Sequence, residues 1–523
     1  MAAPFDLNDD SVVVIIGTGA GGGTLGNELA QKGISVVALE AGGRYLPQDF
    51  INDEWDSFGQ LAWTDTRTTS GDWRVARDFK NLPAWIVKAV GGTTTHWAGA
   101  SLRFQDHEWK AKTTYGAVDG ANLLDWPIDP REMDDFYTRA EEKMRVTRTG
   151  GRPGLPGNNN YKVFEAGAKA IGMKEVSTGH MAINSDETGD RMMCQQTGFC
   201  FQGCKWGAKW STAYTEVPEG EATGNMEVRE RAHVARILHD ATGKVTGVEY
   251  LDKDGNLQMQ KARMVCVAGN SYESPRLLLN SASSMFPDGL ANSSGQVGRN
   301  YMRHVTGSVY GIFDKPVKMW RGTTMAGVMQ DEAGFNPDRG FVGGYELETL
   351  SLGLPFMAAF MDPGSWGREF TTALDSYENM AGLWIVGEDM PQENNRVTLN
   401  MDVKDQHGLP VANVNFSDHP NDVAMRDHAY KTGMAMYEAL GATRVLPTPP
   451  YPSTHNLGTN RMSENAADGV VDKNGKAHDV PNLFISDGSQ FTTGAAENPT
   501  LTIVALAIRQ AEHIAAEMSR GNI

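Results

Sequence analysis

Residues 11–40 read SVVVIIGTGAGGGTLGNELAQKGISVVALE, and this stretch decides the fold. An apolar, β-branched run at residues 12–16 leads into a glycine-rich turn and then into a helical segment that ends near Gly33. A second apolar run follows and ends at Glu40. Strand, glycine turn, helix and strand in this order predict a βαβ unit, and the uninterrupted apolar runs indicate parallel strands buried on both faces.

The turn carries Gly17, Gly19 and Gly22 at the spacing of a dinucleotide-binding fingerprint. The first glycine permits a tight bend, the second lets the backbone approach a pyrophosphate, and the third lets the helix pack closely on the strand. Glu40, at the end of the second strand, is placed to accept hydrogen bonds from ribose hydroxyls. The pattern by itself fits either NAD or FAD. Its position at the start of the chain, with the rest of the sheet supplied by distant segments, favours FAD.

Composition bounds the class of protein. A chain of 523 residues suggests about three domains, or one large domain with an insertion. The formal net charge of −18 and the lack of a basic cluster argue against binding to nucleic acid. No apolar run approaches the roughly 18 residues that a membrane-spanning helix needs. The acidic first ten residues do not have the pattern of an export signal.

The rest of the chain predicts two kinds of sheet. Strand patterns recur at residues 226–238, 245–251 and 262–267, and an apolar strand at 483–486 precedes a helix at about 499–518. Alternating segments between turns, from about residue 308 to 415, favour an antiparallel sheet in a separate layer. We therefore expect an α/β fold combined with an antiparallel sheet.

Three further segments carry a family resemblance: VGGTTTHW at residues 90–97, SDGS at 486–489 and NPTLT at 498–502. With them the chain resembles the glucose-methanol-choline (GMC) oxidoreductases from end to end. It is similar to the bacterial FAD-dependent sugar dehydrogenases, such as glucoside 3-dehydrogenase, gluconate 2-dehydrogenase and glucose dehydrogenase, and to pyranose oxidase around His96. The resemblance implies a Rossmann-like FAD-binding domain at residues 1–307 and 453–523, with a substrate-binding domain at residues 308–452.

The resemblance also implies the residues that hold FAD. These are Gly17, Gly19, Gly22, Glu40, Gly91, Gly92, Thr95, His96, Val234, Asp487, Gly488, Pro499 and Thr500. Similar enzymes with a Thr-His-Trp segment attach the flavin 8α-methyl group covalently through this histidine. Two alternatives stay open for His96: a covalent bond to the flavin, or packing against its ring.

A catalytic pair is implied in the same way. Oxidation of an alcohol by hydride transfer needs a base for the hydroxyl proton, and a neutral histidine suits that task. His455 matches the position of the family's base. Asn498 matches the second member of the pair, which would orient the substrate hydroxyl by hydrogen bonding.

Three cysteines, Cys194, Cys200 and Cys204, stand within eleven residues. Closely spaced thiolates suit iron and sulfide. The fourth cysteine, Cys266, lies in an apolar strand and is predicted to be a buried core thiol. Three ligands indicate a three-iron, four-sulfur cluster, which some of the similar sugar dehydrogenases carry at the corresponding place. A structural zinc site and three unmetallated cysteines are the alternatives.

The preferred functional hypothesis is a dye-linked sugar or glycoside dehydrogenase, with a lean toward oxidation at glycoside C3. Electrons would pass from FAD through the cluster to an external acceptor such as a cytochrome c. A pyranose or glycoside oxidase that uses oxygen directly and a sugar-acid 2-dehydrogenase of the gluconate type are alternatives. Trp320, Trp366 and Trp384 are candidates for stacking against a sugar ring, with a core or flavin-shielding role as the alternative.

The resemblance further implies a partner. Comparable large subunits cross the inner membrane already folded, bound to a small subunit that carries the export signal. This predicts a periplasmic location by co-export, with a cytoplasmic location as the alternative if the chain works alone.

Overall fold

The computed structural model describes residues 5–53, 61–63, 66–71, 74–76, 79–80, 84–187, 191–352, 366–450 and 453–523. The described strands, in chain order, are β1 (Val13–Ile16), β2 (Val36–Leu39), β3 (Leu61–Trp63), β4 (Thr69–Ser70), β5 (Arg74–Ala76), β6 (Phe79–Lys80), β7 (Trp85–Val87), β8 (Val176–Ser177), β9 (Met226–Arg229), β10 (His233–His239), β11 (Val245–Leu251), β12 (Leu257–Lys261), β13 (Met264–Val267), β14 (Val305–Ile312), β15 (Val328–Met329), β16 (Tyr345–Thr349), β17 (Met380–Gly387), β18 (Arg396–Lys404), β19 (Pro410–Asn415), β20 (Arg444–Pro447) and β21 (Leu483–Ile485).

The described α-helices are α1 (Ala20–Gln31), α2 (Ala111–Tyr115), α3 (Pro130–Met144), α4 (Asn159–Ala170), α5 (Glu216–Ala222), α6 (Asn270–Asn280), α7 (Gly367–Asp375), α8 (Pro420–Ala439) and α9 (Thr500–Ser519). Of the helices in these ranges, none combines the length and the apolar character that crossing a membrane would require.

A five-stranded parallel sheet contains β1 and β2, the two strands of the predicted βαβ unit. Its strand order is β21-β13-β1-β2-β9, and every neighbouring pair runs parallel. Alternate residues of β1 enter two different cores, because successive side chains of a strand point to opposite faces. Helices α1, α5 and α9 cover one face, and the antiparallel sheet β10-β11-β12 together with α6 covers the other. The βαβ unit predicted from residues 11–40 is confirmed.

A six-stranded sheet in the order β20-β14-β17-β16-β15-β8 forms a second layer, and its neighbouring strands are antiparallel. Val309 and Leu383 lie on the face that packs against Gly433 of α8. Their neighbours Ser308 and Trp384 therefore point to the opposite face, toward the parallel sheet. The predicted combination of an α/β fold with an antiparallel sheet is confirmed.

One predicted strand is divided in two. The pattern at residues 226–238 forms β9 and β10, separated by Glu230, Arg231 and Ala232. The break follows from sheet membership, since β9 is an edge of the parallel sheet and β10 belongs to the antiparallel one. Arg231 adopts a φ of 54°, which turns the chain from one sheet into the other.

Candidate active site

A cleft lies at the carboxyl ends of the parallel strands. Gly17 follows β1, Glu40 follows β2, Ala268 follows β13 and Asp487 follows β21, and all four line this cleft. Dinucleotides bind at this edge of open parallel sheets, where helix N-termini and strand ends meet. The cleft continues past this edge to Trp384 on the second layer.

Close packing explains the glycines of the first turn. Gly17 has a φ of +98°, a conformation that residues with a side chain rarely adopt. A Cβ atom on Gly22 would collide with the Gly17 carbonyl oxygen, and one on Gly21 would collide with the carbonyl oxygen of Ser486. Helix α1 thus touches its own strand and the end of β21. Gly21 has this packing role although the fingerprint does not single it out.

Gly19 differs from these glycines because its missing side chain leaves open space in the cleft. Among the described atoms, a Cβ atom on Gly19 would meet within 4 Å only the Cα atom of Gly92, at 3.9 Å. Gly92, with a φ of +51°, faces it from the loop of residues 91–95. Two stretches of bare backbone therefore form the narrow part of the cleft. This shape fits a pyrophosphate, which needs backbone N–H groups within reach and no Cβ atoms in the way.

Two buried carboxylates hold the cleft together. Glu40 accepts hydrogen bonds from the backbone N–H and hydroxyl of Thr18, at 3.0 and 2.8 Å, and from Gly42 N–H at 3.0 Å. Asp487 accepts hydrogen bonds from Asn270 N–H and Ser489 N–H, both at 2.8 Å. Burial raises the pKa of each carboxyl, and these hydrogen bonds oppose the shift by stabilising the ionised form.

The cleft gathers most of the predicted site residues. Those that line it are Gly17, Gly19, Glu40, Gly92, Val234, His455, Asp487, Gly488, Asn498, Pro499 and Thr500. Four others lie behind the lining of the described cleft: Gly22, Gly91, Thr95 and His96. Gly22 and Gly91 support the turns by close packing, so their position agrees with a structural role.

His96 is only 2% exposed and contacts the cysteine segment, residues 194–204, which carries the three cysteines. Its Nδ1 lies 2.7 Å from the carbonyl oxygen of Phe201, so Nδ1–H donates to that oxygen. The ring of Phe50 packs edge-on at 5.9 Å. Burial lowers the pKa of His96 to about 4, and the nearby Lys209 adds to the shift. His96 is therefore a neutral imidazole at pH 7.

Lys209 connects the same two segments. The side chain is 1% exposed and its Nζ donates to the carbonyl oxygens of Thr95, Trp97 and Cys200, at 3.1, 2.5 and 2.7 Å. Burial lowers the pKa of Lys209 to about 8, while Cys200 and Cys204 oppose the shift. This one cation ties the loop beside the cleft to the cysteine segment.

His455 and Asn498 come together although 42 residues separate them in the chain. His455 lines the cleft and packs against the Trp384 ring, with ring centroids 5.5 Å apart. Its Nδ1 lies 3.0 Å from Nδ1 of His304. Burial lowers the pKa of His455 well below its usual value, and His304 acts in the same direction. The imidazole is therefore neutral near pH 7 and can accept a proton.

The Asn498 side chain lies beside one buried carboxyl, that of Glu348. Glu348 is 2% exposed, and neither Glu348 oxygen makes a regular hydrogen bond in the described structure. Burial raises the pKa of Glu348 to about 8. Further buried carboxyls extend away from it, and burial raises their pKa values as well: Glu346, Glu497, Glu108 and Glu388. In the described residues none of these five carboxyls forms an ion pair, so burial favours the protonated, uncharged form of each.

Of the three tryptophans proposed for sugar stacking, Trp384 lines the described cleft. Trp320 packs against Tyr377, with ring centroids 5.0 Å apart. Trp366 is 87% exposed. Trp384 is therefore the member of this group whose position agrees with contact to a ligand.

The metal prediction is not supported. Among the residues that the structure describes, Cys194, Cys200 and Cys204 do not form a group that could hold a metal ion, and all are free thiols. Burial raises the pKa of Cys194 to about 12 and also raises that of Cys200. Cys266 is fully buried in β13, as expected of a core thiol.

Family models agree with this architecture. An N-terminal GMC oxidoreductase model matches residues 20–306, and a C-terminal GMC oxidoreductase model matches residues 391–507. The chain belongs to the GMC oxidoreductase family. The predicted resemblance is confirmed, and with it the assignment of this chain as an oxidoreductase enzyme.

Three relatives resemble this GMC oxidoreductase along nearly its whole length. A 2-methyl-1,2-propanediol dehydrogenase of Mycolicibacterium austroafricanum is 31% identical, over 98% of this chain and 96% of the relative. A fructose dehydrogenase large subunit of Gluconobacter japonicus is 27% identical, over 97% and 98%. A paromamine 6'-oxidase of Streptomyces fradiae is 28% identical, over 98% and 93%.

A solved structure shares the fold. The formate oxidase of Aspergillus oryzae, whose structure concerns modification of its FAD, aligns with a TM-score of 0.66 and 16% identity over 98% of this chain and 99% of that chain. GMC oxidoreductases bind FAD, and the open cleft between Gly19 and Gly92 has the bare backbone that such a dinucleotide needs.

Sequence motifs do not identify three buried side chains that lie behind or beside the cleft: His304, Glu348 and Lys209. None of the three belongs to a recognisable motif. His304 and Lys209 each contact a residue more than 110 positions away in the chain, and Glu348 is buried on a strand of the second layer. The one available signal was an alternation of charge and apolar residues at residues 345–349, YELET, which places two glutamates on one face of β16.

The raised pKa of Glu348 predicts a pH-dependent stability. An unfolded glutamate titrates near pH 4.3, whereas folded Glu348 titrates near 8. Between these values the folded state holds the extra proton, so the contribution of Glu348 to stability falls as pH rises. We expect Glu348→Gln, which cannot ionise, to gain thermal stability relative to the natural protein between pH 5 and pH 8, by about 2 °C or more.

Melting temperatures measured from pH 4 to pH 9 would test this. The exposed Glu464→Gln variant is the control and should follow the natural protein at every pH. A difference between Glu348→Gln and the natural protein that stays constant with pH would contradict the buried, neutral carboxyl.

Proposed function

We propose that this GMC oxidoreductase uses FAD to oxidise a hydroxyl group of a sugar, glycoside or related diol. The observation that carries the proposal is the meeting of His455, Asn498 and Trp384 in the same cleft as the dinucleotide-binding turn. The names of the relatives support the substrate class, because they include a diol dehydrogenase and a fructose dehydrogenase.

His455 acts as the base in this proposal. Burial keeps its ring neutral, so it can take the proton of the substrate hydroxyl. FAD, when bound, supplies the acceptor for the hydride that leaves the same carbon. The Asn498 amide can hold the hydroxyl and fix the direction of the C–H bond, since it carries both a donor and an acceptor and its Oδ1 is otherwise unbonded in the described structure.

The chain's own residues would hold the cofactor along the cleft. Glu40 would accept hydrogen bonds from the ribose, and the N-terminus of α1 would face the pyrophosphate. Gly92 would run beside the flavin, and Gly91 and Thr95 would support it from behind the lining of the cleft. Val234 would contact the adenine side, and Asp487, Gly488, Pro499 and Thr500 would support the remainder.

A covalent bond from His96 to the flavin remains a prediction. The absorbance of protein precipitated with acid and washed is the measurement: flavin retained on the polypeptide is the expected outcome, and flavin released completely into the supernatant would contradict it. His96→Ala is the matched variant, which should release its flavin.

We further propose that electrons leave for an external acceptor and that the chain works with partners. The support is the name of one relative, a large subunit of fructose dehydrogenase. A small subunit with an export signal, a cytochrome c as acceptor and a periplasmic location by co-export belong to this proposal. We assign no electron step to the three cysteines, because their described arrangement does not fit a metal centre.

Direct use of oxygen is the second candidate, favoured by the paromamine 6'-oxidase relative. The same pair, His455 and Asn498, would serve both reactions, because they differ only in how the reduced flavin is reoxidised. Hydrogen peroxide formed per substrate under air separates them. A yield near one indicates an oxidase, and a low yield with fast reduction of an artificial dye indicates a dehydrogenase.

Gly19 and Gly21 make a matched test of the cleft. A methyl group on Gly19 fits the protein but projects into the space proposed for FAD. A methyl group on Gly21 collides with the backbone of Ser486. We expect Gly19→Ala to leave the stability of the flavin-free protein nearly unchanged and to weaken FAD binding at least 10-fold. Gly21→Ala should destabilise the protein itself, by about 1–3 kcal/mol.

Titration of flavin-free protein with FAD and thermal unfolding of both variants provide the measurements. Equal FAD affinity in Gly19→Ala and the natural protein would contradict the proposal that the FAD pyrophosphate lies beside Gly19.

The decisive test of the proposed function is bleaching of the flavin without air. The holoenzyme is mixed with a panel of sugars, glycosides and 1,2-diols, and the loss of oxidised flavin absorbance is followed. With the best substrate, His455→Ala should reduce its flavin about 10²–10⁴-fold more slowly while retaining FAD. His478→Ala, a half-buried histidine outside the described cleft, is the control and should behave as the natural protein.

Flavin that no hydroxyl compound of the panel bleaches would overturn the substrate class. Reduction of the His455→Ala flavin at the natural rate would overturn the role of His455.

A further inference from the structure

His304 is a buried residue in direct contact with the proposed base. It is 1% exposed, and its ring stands edge-on to that of His455, with centroids 4.9 Å apart and an interplanar angle of 83°. Its backbone has a φ of 67°, and its N–H donates to Asp389 Oδ1 at 3.0 Å. A histidine in this strained conformation is held by its surroundings.

The partners of His304 determine which of its nitrogens carries the proton. Nε2 lies 3.0 Å from the carbonyl oxygen of Gly494. A carbonyl oxygen can only accept, so Nε2–H must donate. A neutral imidazole has one N–H, and Nδ1 of His304 is therefore left as an acceptor.

The same reasoning extends to His455. Its Nδ1 is 3.0 Å from Nδ1 of His304. Because the His304 nitrogen is an acceptor, the His455 nitrogen must donate, and the single proton of neutral His455 sits on Nδ1. Its Nε2 then carries a lone pair, and no described residue bonds to Nε2. The ring lines the cleft, so this lone pair is available to a ligand.

We propose that His304 is a positioning residue that holds His455 in the tautomer with an unprotonated Nε2, as required of a base. This inference rests on the proposed function, in which His455 takes the hydroxyl proton. In that step the substrate O–H bond breaks and an Nε2–H bond forms. The electron pair of the broken O–H bond would form the C=O bond, and the electron pair of the C–H bond would leave as hydride, for which FAD, when bound, would supply the acceptor. The Nδ1–H of His455 stays bonded to His304 and stabilises the imidazolium.

The groups around His304 support a neutral ring. Burial lowers the pKa of His304 to about 4, and the nearby Arg303 adds to the shift. Asp389, whose pKa burial raises to about 6, accepts hydrogen bonds from the backbone N–H groups of Arg303 and His304 and bonds neither ring nitrogen of His304 in the described structure. A protonated His304 would donate from both nitrogens and force the proton of His455 onto Nε2, where it would block the base.

Two variants separate positioning from packing. His304→Asn keeps an acceptor oxygen one bond beyond Cγ, where Nδ1 stands, and asparagine tolerates a positive φ. His304→Leu fills a similar volume without an acceptor. His419→Asn is the control, because His419 is also buried and also bonds a backbone carbonyl, that of Asp119, outside the described cleft.

The readout is the limiting rate of flavin reduction in the holoenzyme, without air, at saturating substrate and from pH 5 to pH 9. We expect His304→Leu to lower this rate about 10²-fold with little change in the substrate concentration at half saturation. His304→Asn should remain within about 5-fold of the natural protein, and His419→Asn should match it. Flavin content and melting temperature are measured for each variant.

A second measurement uses the natural protein, so it remains possible even if the His304 variants do not fold. Imidazole ¹⁵N signals of holoenzyme labelled at histidine show which nitrogen is protonated, and the His455 signals are those lost in His455→Ala. The expected spectrum has an unprotonated Nε2 and a protonated Nδ1 for His455. The opposite assignment would overturn the inference.

Equal rates for His304→Leu and the natural protein would also overturn it, as would equally slow His304→Leu and His304→Asn in protein with full flavin. These outcomes differ from failure of the proposed function, which would appear as fast flavin reduction in His455→Ala. Slow flavin reduction in His455→Ala together with fast flavin reduction in His304→Leu would support His455 as the base and contradict only the positioning role of His304.

Discussion

Close approach of backbone to backbone is the constraint on which the cleft depends. Helix α1 touches the end of β21 at Gly21 and Ser486, and its first turn lies on the turn after β1 at Gly22 and Gly17. Any side chain at these contacts would push the helix away from the strand ends. Because α9 packs on α1, the displacement would also reach the helix that follows Pro499 and Asn498. The positions of the dinucleotide turn and of the proposed catalytic amide are thus coupled.

A second property of the site is that several of its titratable side chains are buried in an uncharged form. Burial moves the pKa values of Glu348 and Glu388 up and those of His304 and His455 down, so these four groups near the proposed catalytic pair are neutral near pH 7. Neutral carboxyl and imidazole groups both donate and accept hydrogen bonds. A hydroxyl group does the same. This balance is consistent with an alcohol as substrate and with a base that is free to take a proton.

Local patterns predicted the parts of the fold that local interactions specify. The βαβ unit of residues 11–40 was clear because glycine positions, apolar runs and a terminal acid coincide within 30 residues. The pattern at residues 226–238 was misread as one strand because two short strands of different sheets follow each other closely. The cysteine spacing suggested a metal centre, but spacing along the chain does not fix how the side chains are arranged, and the described residues contain no group that could hold a metal ion.

The sequence alone predicted the family and the dinucleotide turn with Gly17, Gly19, Gly22 and Glu40. It also predicted His455 and Asn498 as the catalytic pair. Each of these predictions rests on a short stretch of neighbouring residues. Tertiary structure alone decided that His304 meets His455, that Glu348 lies beside Asn498, and that Trp384 rather than Trp320 or Trp366 reaches the cleft. These contacts join the parallel sheet to a second sheet formed mainly by residues 305–447. A contact between distant segments depends on how the two layers pack, and no short stretch of sequence records that packing.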